Sequence, residues 1–313
     1  MQEPKFSVVV PVYNRADRIL PTLESVRNQT CQDFECIVVD DGSKDGDALK
    51  AVVEKLDDPR FRYLRRENGG GGAARNTGIH AATGRYIAFL DSDDQFLPHK
   101  LETHERVLET LSDDLIFCYS RLLIDRGVGK TWVKPPNGLR PQQRVDEYLM
   151  CGAGWMQTST VVATTRLAKS VLFSESLPSS QDTDFAVRSA KAGAHFEFIP
   201  EALVIMEDRY DPMRVSKQLK YKPLLDWIES MRGTHVSERS YWAYRGWVCA
   251  RIASYSDRPK AIMIFLQSII HRPYSLKTSM IIAAQIMIPR TLYQKIASVI
   301  VNLVGRTAQE QAR

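Results

Sequence analysis

The sequence lacks the usual features of disulfide-rich, zinc-binding and membrane-spanning proteins. Its five cysteines form no C-x-x-C pair and show no zinc-ligand spacing, so we expect reduced thiols in a cytosolic interior. No signal peptide precedes the first strand-like run, and no apolar stretch reaches the roughly 20 residues that span a bilayer. We therefore expect a cytoplasmic chain without transmembrane helices.

The small net charge of +5 conceals an uneven distribution along the chain. Residues 209–313 carry 17 basic and 6 acidic side chains, whereas residues 1–208 carry 25 basic and 31 acidic ones. This split predicts two regions with different partners. No recognised nucleic-acid-binding motif accompanies the basic residues, so we do not expect nucleic acid to be a partner.

Apolar, β-branched runs alternate with segments of helical periodicity in the first hundred or so residues. This alternation predicts an α/β fold with a largely parallel sheet, in which ligands bind beyond the carboxyl ends of the strands. The predicted elements are strands at 6–12, 34–39, 61–64 and 86–90 and helices at 17–28, 47–56 and 73–82.

Acidic residues follow two of these strands. The carboxylates of Asp91-Ser92-Asp93 alternate along the chain and can face one Mg²⁺ or Mn²⁺ ion, although a D-x-D alone also fits a polar turn. Asp40 and Asp41 can accept hydrogen bonds from a nucleobase or a ribose, or can simply form an Asp-Gly turn. Two acidic strand ends in one sheet favour the metal and nucleotide interpretation.

A run of four glycines, Gly69 to Gly72, leads into the predicted helix that carries Arg75. The run lacks the Gly-Lys-Ser/Thr of a P-loop, and the strand before it is a poor first strand for a dinucleotide fold. A glycine-rich approach to a helix with an arginine on it suits the binding of a diphosphate.

Four motifs occur in one order within the first 94 residues. They are Val9-Val10-Pro11-Val12-Tyr13-Asn14, Val39-Asp40-Asp41-Gly42-Ser43, Asn68-Gly69-Gly70 with Ala74-Arg75-Asn76-Thr77-Gly78, and Gly84-Arg85-Tyr86-Ile87-Ala88-Phe89-Leu90-Asp91-Ser92-Asp93-Asp94. In these motifs the chain resembles the family 2 glycosyltransferases of the GT-A fold, and a looser resemblance continues to about residue 215. The resemblance implies an inverting enzyme with a nucleotide-diphosphate sugar as donor and Mn²⁺ or Mg²⁺ as cofactor. Residues 1–98 would bind the nucleotide sugar and residues 99–215 the acceptor.

Carried over by position, the resemblance also implies the residues that contact the donor. The metal would bind Asp93, with Asp91 beside it, and would stabilise the departing nucleoside diphosphate. The implied nucleotide-sugar contacts are Pro11, Tyr13, Asp40, Asp41, Arg75, Asp91 and Ser92.

An inverting enzyme also needs a base, which in this family is an aspartate of a Glu-Asp-x-Asp segment. The matching residues are Gln181-Asp182-Thr183-Asp184, so the resemblance places the base at Asp182. By its position alone, Asp182 fits a helix N-cap equally well. Gln181 replaces the family's usual glutamate, which removes a like charge beside the base and would lower the pKa of Asp182.

The sequence departs from the family a second time where many relatives carry a metal-binding histidine. Residues 206–216 contain no histidine. Two alternatives remain open: the metal is held by Asp93, phosphates and water, or an acid such as Asp211 substitutes for the histidine.

Aromatic residues mark the candidate acceptor region. Trp155 precedes the base and can stack on a sugar ring, with Gln181 as a second acceptor contact, although a tryptophan in the core fits Trp155 as well. Residues 127–141 are rich in glycine and proline and predict a long loop that contains Trp132, for which the same two interpretations hold.

Residues 216–313 predict a helical, basic region with short apolar helices at 261–270, 279–288 and 292–304. They could form a subdomain packed on the catalytic domain, bind an anionic membrane surface, or mediate oligomerisation. The resemblance favours the membrane, because bacterial relatives often extend lipid-linked sugars. We therefore expect a peripheral enzyme on the inner face of the cytoplasmic membrane.

Together these features predict the transfer of one sugar, most simply from a UDP-sugar, to a saccharide acceptor. A lipid-linked acceptor in bacterial surface polysaccharide synthesis fits the resemblance. A nucleotidyltransferase is one alternative, but residues 11–18 lack the basic glycine-rich loop that it needs. The other is a non-catalytic nucleotide-sugar-binding protein, against which Asp91, Asp93 and Asp182 argue.

Overall fold

A computed structural model describes most of the chain, with one nine-stranded sheet and a set of C-terminal helices. The described residues are 3–127, 131–152, 154–208, 220–288 and 292. Strands β1 to β9 span Phe6–Val12, Phe34–Asp40, Phe61–Arg65, Tyr86–Phe89, Asp94–Phe96, Ile116–Asp125, Thr131–Lys134, Val161–Thr164 and His195–Glu207. Helices α1 to α12 span Leu20–Arg27, Gly46–Lys55, Gly70–Ala81, Lys100–Leu108, Val145–Met150, Thr165–Val171, Gln181–Lys191, Tyr221–Met231, Glu238–Tyr244, Ala250–Ala253, Arg258–Ile269 and Leu276–Met287.

The sheet has the strand order β3-β2-β1-β4-β8-β6-β9-β5, and β7 pairs with β6. The predicted parallel arrangement holds for β3-β2-β1-β4 and for β6-β9. Strands β5, β7 and β8 pair antiparallel with their neighbours, so the sheet is mixed. For β7 the reason is the five-residue connection from β6, which is too short for a parallel crossover.

The β-branched run of β1 is buried because the strand has core on both sides. Val8, Val10 and Val12 point into one hydrophobic core, and Val9 points into the other. Val12 lies opposite Asp40 of β2, and Val9 lies opposite Phe89 of β4. These registers bring the acidic ends of β2 and β4 to the same edge of the sheet, as the sequence predicted.

Two predicted elements differ from the structure. The helix predicted from residue 73 begins at Gly70, so most of the glycine run lies inside α3. The long loop predicted at 127–141 is wrong in part, because Trp132 lies on β7, where it pairs with Ile124 of β6 and packs against the sheet core. The cross-strand partner supplies hydrogen bonds that the local glycine and proline content does not reveal.

The C-terminal helices form a hydrophobic core that includes residues from the part of the chain before β9. Leu177 and Val187 are buried in it together with residues of α8 to α12. Helices α11 and α12 confirm two of the predicted apolar helices, and among the described residues no helix is long and apolar enough to cross a membrane. Asp211 and the predicted helix at 292–304, apart from Leu292, lie outside the described residues.

A lysine is buried at the start of α4. Lys100 is 0% exposed, its Nζ lies 3.3 Å from the carbonyl oxygen of Thr160, and it sits 4.9 Å from the centre of the Phe96 ring. Burial disfavours the ammonium form, which lowers the pKa of Lys100 to about 7.

Because the pKa of Lys100 is lowered to about 7, we expect folding stability to rise with pH above neutrality. Between pH 7 and the ordinary lysine pKa of 10.5, the unfolded chain binds a proton that the folded chain does not. The free energy of unfolding therefore gains up to about 1.4 kcal/mol per pH unit from this group. Lys100→Met removes this gain, so its stability relative to the wild type should fall between pH 7 and pH 9 in urea unfolding. A stability difference that is the same at pH 7, 8 and 9 would contradict the assignment.

Candidate active site

Asp40 stabilises the turn at the end of β2, because its carboxylate accepts hydrogen bonds from other residues of the protein. Asp40 is 0% exposed; its Oδ1 accepts a hydrogen bond from the backbone N–H of Ser43 at 2.8 Å and its Oδ2 accepts one from the Tyr63 hydroxyl at 2.6 Å. Gly42 has φ +73°, and a Cβ there would lie 2.8 Å from the backbone nitrogen of Asn68. The Asp-Gly turn therefore holds β2 against the segment that leads to α3.

Asp41 joins this turn to the glycine run. Its Oδ1 accepts from the Gly69 N–H at 3.0 Å and its Oδ2 from the Gly70 N–H at 2.7 Å. The Arg66 Nε lies 3.2 Å from the same carboxylate. Two backbone N–H groups at the start of α3 thus donate to a carboxylate from the turn after β2, and a negative charge is favourable at this end of a helix.

The glycines of α3 allow another segment to approach closely. A Cβ on Gly72 would lie 2.5 Å from the carbonyl oxygen of Ser174. Helix α3 therefore packs directly against the segment that leads to α7. This close packing gives the run a structural role that its phosphate-binding interpretation did not include.

Arg75 on α3 connects the two predicted halves of the site. Its Nη2 donates to Oδ1 of Asp91 at 2.5 Å, and its Nη1 donates to Oε1 of Gln181 at 2.7 Å. The guanidinium also lies 5.3 Å from the centre of the Phe173 ring. One side chain thereby links the D-x-D motif to the residue directly before Asp182.

The D-x-D carboxylates have different surroundings. Asp91 accepts from Nε2 of Gln157 at 3.1 Å, and its backbone N–H donates to the Ser159 hydroxyl at 3.0 Å. Asp93 is about one quarter exposed and lies 3.4 Å from Nη2 of Arg15. The two side chains are nearly equally exposed, Asp91 at 25% and Asp93 at 26%.

A third acid, Asp94, follows the D-x-D motif directly and shares the hydrogen-bond donor Gln157 with Asp91. Asp94 is 1% exposed, and its Oδ2 accepts from Nε2 of Gln157 at 2.8 Å and from the Ser159 hydroxyl at 2.6 Å. Burial, with the charges of Asp91 and Asp93 as smaller causes, raises the pKa of Asp94 well above its ordinary value. The sequence did not single out Gln157 or Ser159, because their only signal is three polar residues beside Trp155.

Asp91 and Asp93 are suitable ligands for a divalent cation. Mg²⁺ and Mn²⁺ bind hard oxygen ligands, and Mg²⁺ typically takes one or two carboxylates and fills its other positions with phosphates and water. Among the described residues, no three His, Cys, Asp or Glu side chains converge as a metal site. Two carboxylates fit a metal that takes its other ligands from the substrate and from water.

Asp182 occupies the second position of α7, and the N-cap is Ser180. Its Oδ1 accepts a hydrogen bond from the N–H of Thr183 at 2.7 Å. Burial is the main cause that raises the pKa of Asp182, and the charge of Asp91 acts in the same direction, while Arg75 opposes both. A carboxylate with a raised pKa holds a proton more strongly than an exposed one, as a general base requires.

The predicted nucleoside contacts lie at the end of β1. Pro11 is the next-to-last residue of the strand, and the Tyr13 side chain is 46% exposed just beyond it. The backbone N–H of Asn14 donates to the Ser43 hydroxyl at 2.9 Å, which ties this end to the turn after β2. An exposed ring thus stands beside the acidic edge of the sheet.

Both predicted acceptor contacts, Trp155 and Gln181, interact with other parts of the protein. Trp155 is half-buried and packs against the sheet core, which agrees with the alternative of a core tryptophan. Gln181 donates from Nε2 to the carbonyl oxygen of Leu177 at 2.7 Å while its Oε1 binds Arg75. Both polar ends of the Gln181 amide are therefore engaged within the protein.

A mixed sheet with acidic strand ends and a D-x-D motif is the arrangement of a GT-A glycosyltransferase, and solved structures share this fold. TarS of S. aureus in complex with UDP-GlcNAc superposes with a TM-score of 0.61 and 20% identity, over 85% of this chain and 79% of that one. The mannosyltransferase PcManGT of Pyrobaculum calidifontis, in complex with GDP-Man and Mn²⁺, gives 0.56 and 16%, over 97% and 88%.

Sequence comparison identifies the family. The model described as Glycosyl transferase family 2 matches residues 7–158. The amylovoran biosynthesis glycosyltransferase AmsB of Erwinia amylovora is 32% identical over 257 residues, 79% of this chain and 84% of the relative. The uncharacterized glycosyltransferase MJ1057 of Methanocaldococcus jannaschii is 32% identical over 208 residues, 65% of this chain and 71% of the relative. The chain belongs to glycosyltransferase family 2.

Proposed function

We propose that this glycosyltransferase moves one sugar from a nucleotide-diphosphate sugar to an acceptor hydroxyl by a single displacement, with inversion at the anomeric carbon. The observation that carries the proposal is the Arg75 bridge, which joins Asp91 at 2.5 Å to Gln181 at 2.7 Å. The bridge supports a single site that contains both the candidate donor edge and Asp182. A displacement needs this arrangement, because the leaving group and the base act on opposite sides of the sugar.

The donor in this proposal is a UDP-sugar held at the ends of β1, β2 and β4. Tyr13 is exposed there and can stack on the base, and Pro11 lies on the same strand end. Asp41 is 3% exposed, and its carboxylate would support this edge through Gly69 and Gly70. Asp40 is fully buried and supports the turn instead of contacting the donor. The solved TarS complex with UDP-GlcNAc supports the choice of a uridine nucleotide on this fold.

Asp93 and Asp91 would hold Mn²⁺ or Mg²⁺ together with the donor diphosphate, and Ser92, between them in the chain, would contact the donor. When bound, the metal would neutralise the charge that develops on the leaving diphosphate. Arg75 supplies a fixed positive charge beside Asp91, and with Gln181 it orients the start of α7. Asp182 takes the proton from the attacking acceptor hydroxyl onto its carboxylate.

The acceptor in this proposal is a saccharide, lipid-linked and part of bacterial surface polysaccharide assembly. The name of the relative AmsB, which refers to amylovoran biosynthesis, supports this class. Residues 99–215 would bind the acceptor, because they contain Asp182 and the half-buried edge of Trp155. Gln181 would act by supporting Asp182, since its own amide is already hydrogen-bonded.

An exposed apolar and basic face of α11 and α12 supports a membrane surface as a further partner. Residues 258–288 contain four basic and no acidic side chains. A lipid interface takes up apolar side chains while anionic headgroups attract lysine and arginine. The exposed apolar residues of these helices are Met263, Leu266, Ile270, Leu276, Met280, Ile281 and Met287.

Asp182→Asn tests the base. The amide cannot take a proton, so the release of UDP from a panel of UDP-sugars should fall by roughly 10²- to 10⁴-fold. UDP binding, measured by calorimetry, should be unchanged. Asp47→Asn, at an exposed aspartate of α2, is the matched control and should keep full activity. Normal turnover by Asp182→Asn would rule out the base assignment.

Asp93→Asn tests the metal site. In the wild-type protein, UDP with Mn²⁺ should raise the melting temperature more than UDP with EDTA does. The variant lacks one of the two candidate metal-ligating carboxylates, so this metal-dependent difference should shrink or disappear. An undiminished Mn²⁺ effect in Asp93→Asn, or no Mn²⁺ effect in the wild type, would refute the role given to Asp93.

Cosedimentation with vesicles tests the membrane face. The wild-type protein should bind vesicles that contain phosphatidylglycerol, and binding should weaken as salt is raised. The double variant Lys277→Glu, Met280→Ser should lose vesicle binding, whereas Lys50→Glu on α2 should keep it. Equal binding by the Lys277→Glu, Met280→Ser variant would contradict the proposal. So would a wild-type dimer that buries this face and that the same two substitutions dissociate.

A further inference from the structure

The candidate base lies on a short segment with a sharp turn. Ser180 has φ +60°, a left-handed conformation that non-glycine residues rarely adopt, and α7 begins directly after it. The backbone N–H of Asp184 donates to the carbonyl oxygen of Ser180 at 2.9 Å, so the turn closes around Asp182. Such strain persists only where the surrounding structure holds the residue in place.

The first contact that holds this segment comes from α9. The hydroxyl of Tyr244, which is 2% exposed, lies 2.8 Å from Oγ of Ser180. Burial raises the pKa of Tyr244 well above its ordinary value, so the phenol stays protonated and can donate this hydrogen bond. The two residues are 64 positions apart in the chain.

The second contact comes from α8, on the other side of the base. Nε1 of Trp227 donates to Oδ1 of Asp184 at 2.8 Å. Oδ2 of the same carboxylate accepts from Nε of Arg188 at 2.9 Å. The Trp227 and Tyr244 rings meet edge to face with centroids 4.9 Å apart, so the two donors form one packed unit.

Helix α7 also lies between two hydrophobic cores. Phe185 and Ala186 are buried in the core of the catalytic sheet. Leu177 and Val187 are buried among the C-terminal helices. The segment that carries Asp182 is therefore fixed on one side by the catalytic fold and on the other by the C-terminal helices.

We infer that the C-terminal helices position the base of this enzyme, with Tyr244 and Trp227 as the positioning residues. Tyr244 holds Ser180 before Asp182, and Trp227 holds Asp184 after it. The reacting atoms must be placed within a fraction of an ångström, so a segment released at either end should lose rate without losing donor affinity. The inference rests on the proposed role of Asp182.

A double-mutant cycle tests the first contact. Tyr244→Phe and Ser180→Ala each remove the same hydrogen bond, and each should lower kcat for UDP release from a UDP-sugar by about 10-fold. Because the two residues act through one bond, the double variant should lose no more than either single one. The Kd for UDP with Mn²⁺ should stay within about twofold of the wild-type value.

A second variant and two matched controls separate positioning from general stability. Trp227→Phe keeps an aromatic ring, loses the N–H and should also lower kcat. Tyr241→Phe and Trp247→Phe make the same changes where the bonds, to Glu229 at 2.6 Å and to Gln285 at 3.2 Å, stay within the C-terminal helices. Both controls should keep the wild-type kcat, and melting temperatures confirm that each variant is folded.

Several results would overturn the inference. These are multiplicative losses in the double variant, equal losses in the Tyr241→Phe or Trp247→Phe controls, or a weakened UDP Kd that accounts for the whole effect. An assay of Asp182→Asn in parallel distinguishes a failure of the positioning role from a failure of the base assignment. If it abolishes turnover while Tyr244→Phe and Trp227→Phe stay fully active, the positioning role fails alone; if it stays active, the base assignment fails.

Discussion

The Arg75 guanidinium is the contact on which the rest of the site depends. It lies between the carboxylate of Asp91 and the amide of Gln181, and its charge opposes the effect of Asp91 on the pKa of Asp182. Without it, two carboxylates would face each other in a partly buried site, where their repulsion is weakly screened. The bridge depends in turn on Gly72, which lets α3 approach the segment that leads to α7.

The sequence was sufficient for the features that local patterning determines. A β-branched run such as Phe6–Val12 needs core on both sides, and parallel strands bring their carboxyl ends to one edge. The order of the four motifs indicated the family and its fold, which the spacing of residues alone does not indicate.

Contacts between distant residues could not be predicted in this way. Gln157 hydrogen-bonds Asp91 from 66 residues away, and no motif marks it. The Gln181 amide fits between Arg75 and a backbone carbonyl, which only the packing of α3 against α7 reveals. Tyr244 belongs to a region whose sequence showed helices and positive charge, so its contact with Ser180 had no local signal. The C-terminal helices thus have a structural link to the catalytic segment in addition to any surface role.

The turnover number of Arg75→Lys tests the central claim most directly. Lysine keeps the positive charge but cannot bond Asp91 and Gln181 at once in a fixed plane. We expect kcat for UDP release from a UDP-sugar to fall by about 10-fold or more. Arg62→Lys, which alters the ion pair of a half-exposed arginine on β3 with the buried Glu35, should leave kcat unchanged. An Arg75→Lys enzyme with the wild-type kcat would show that the bridge does not organise the site.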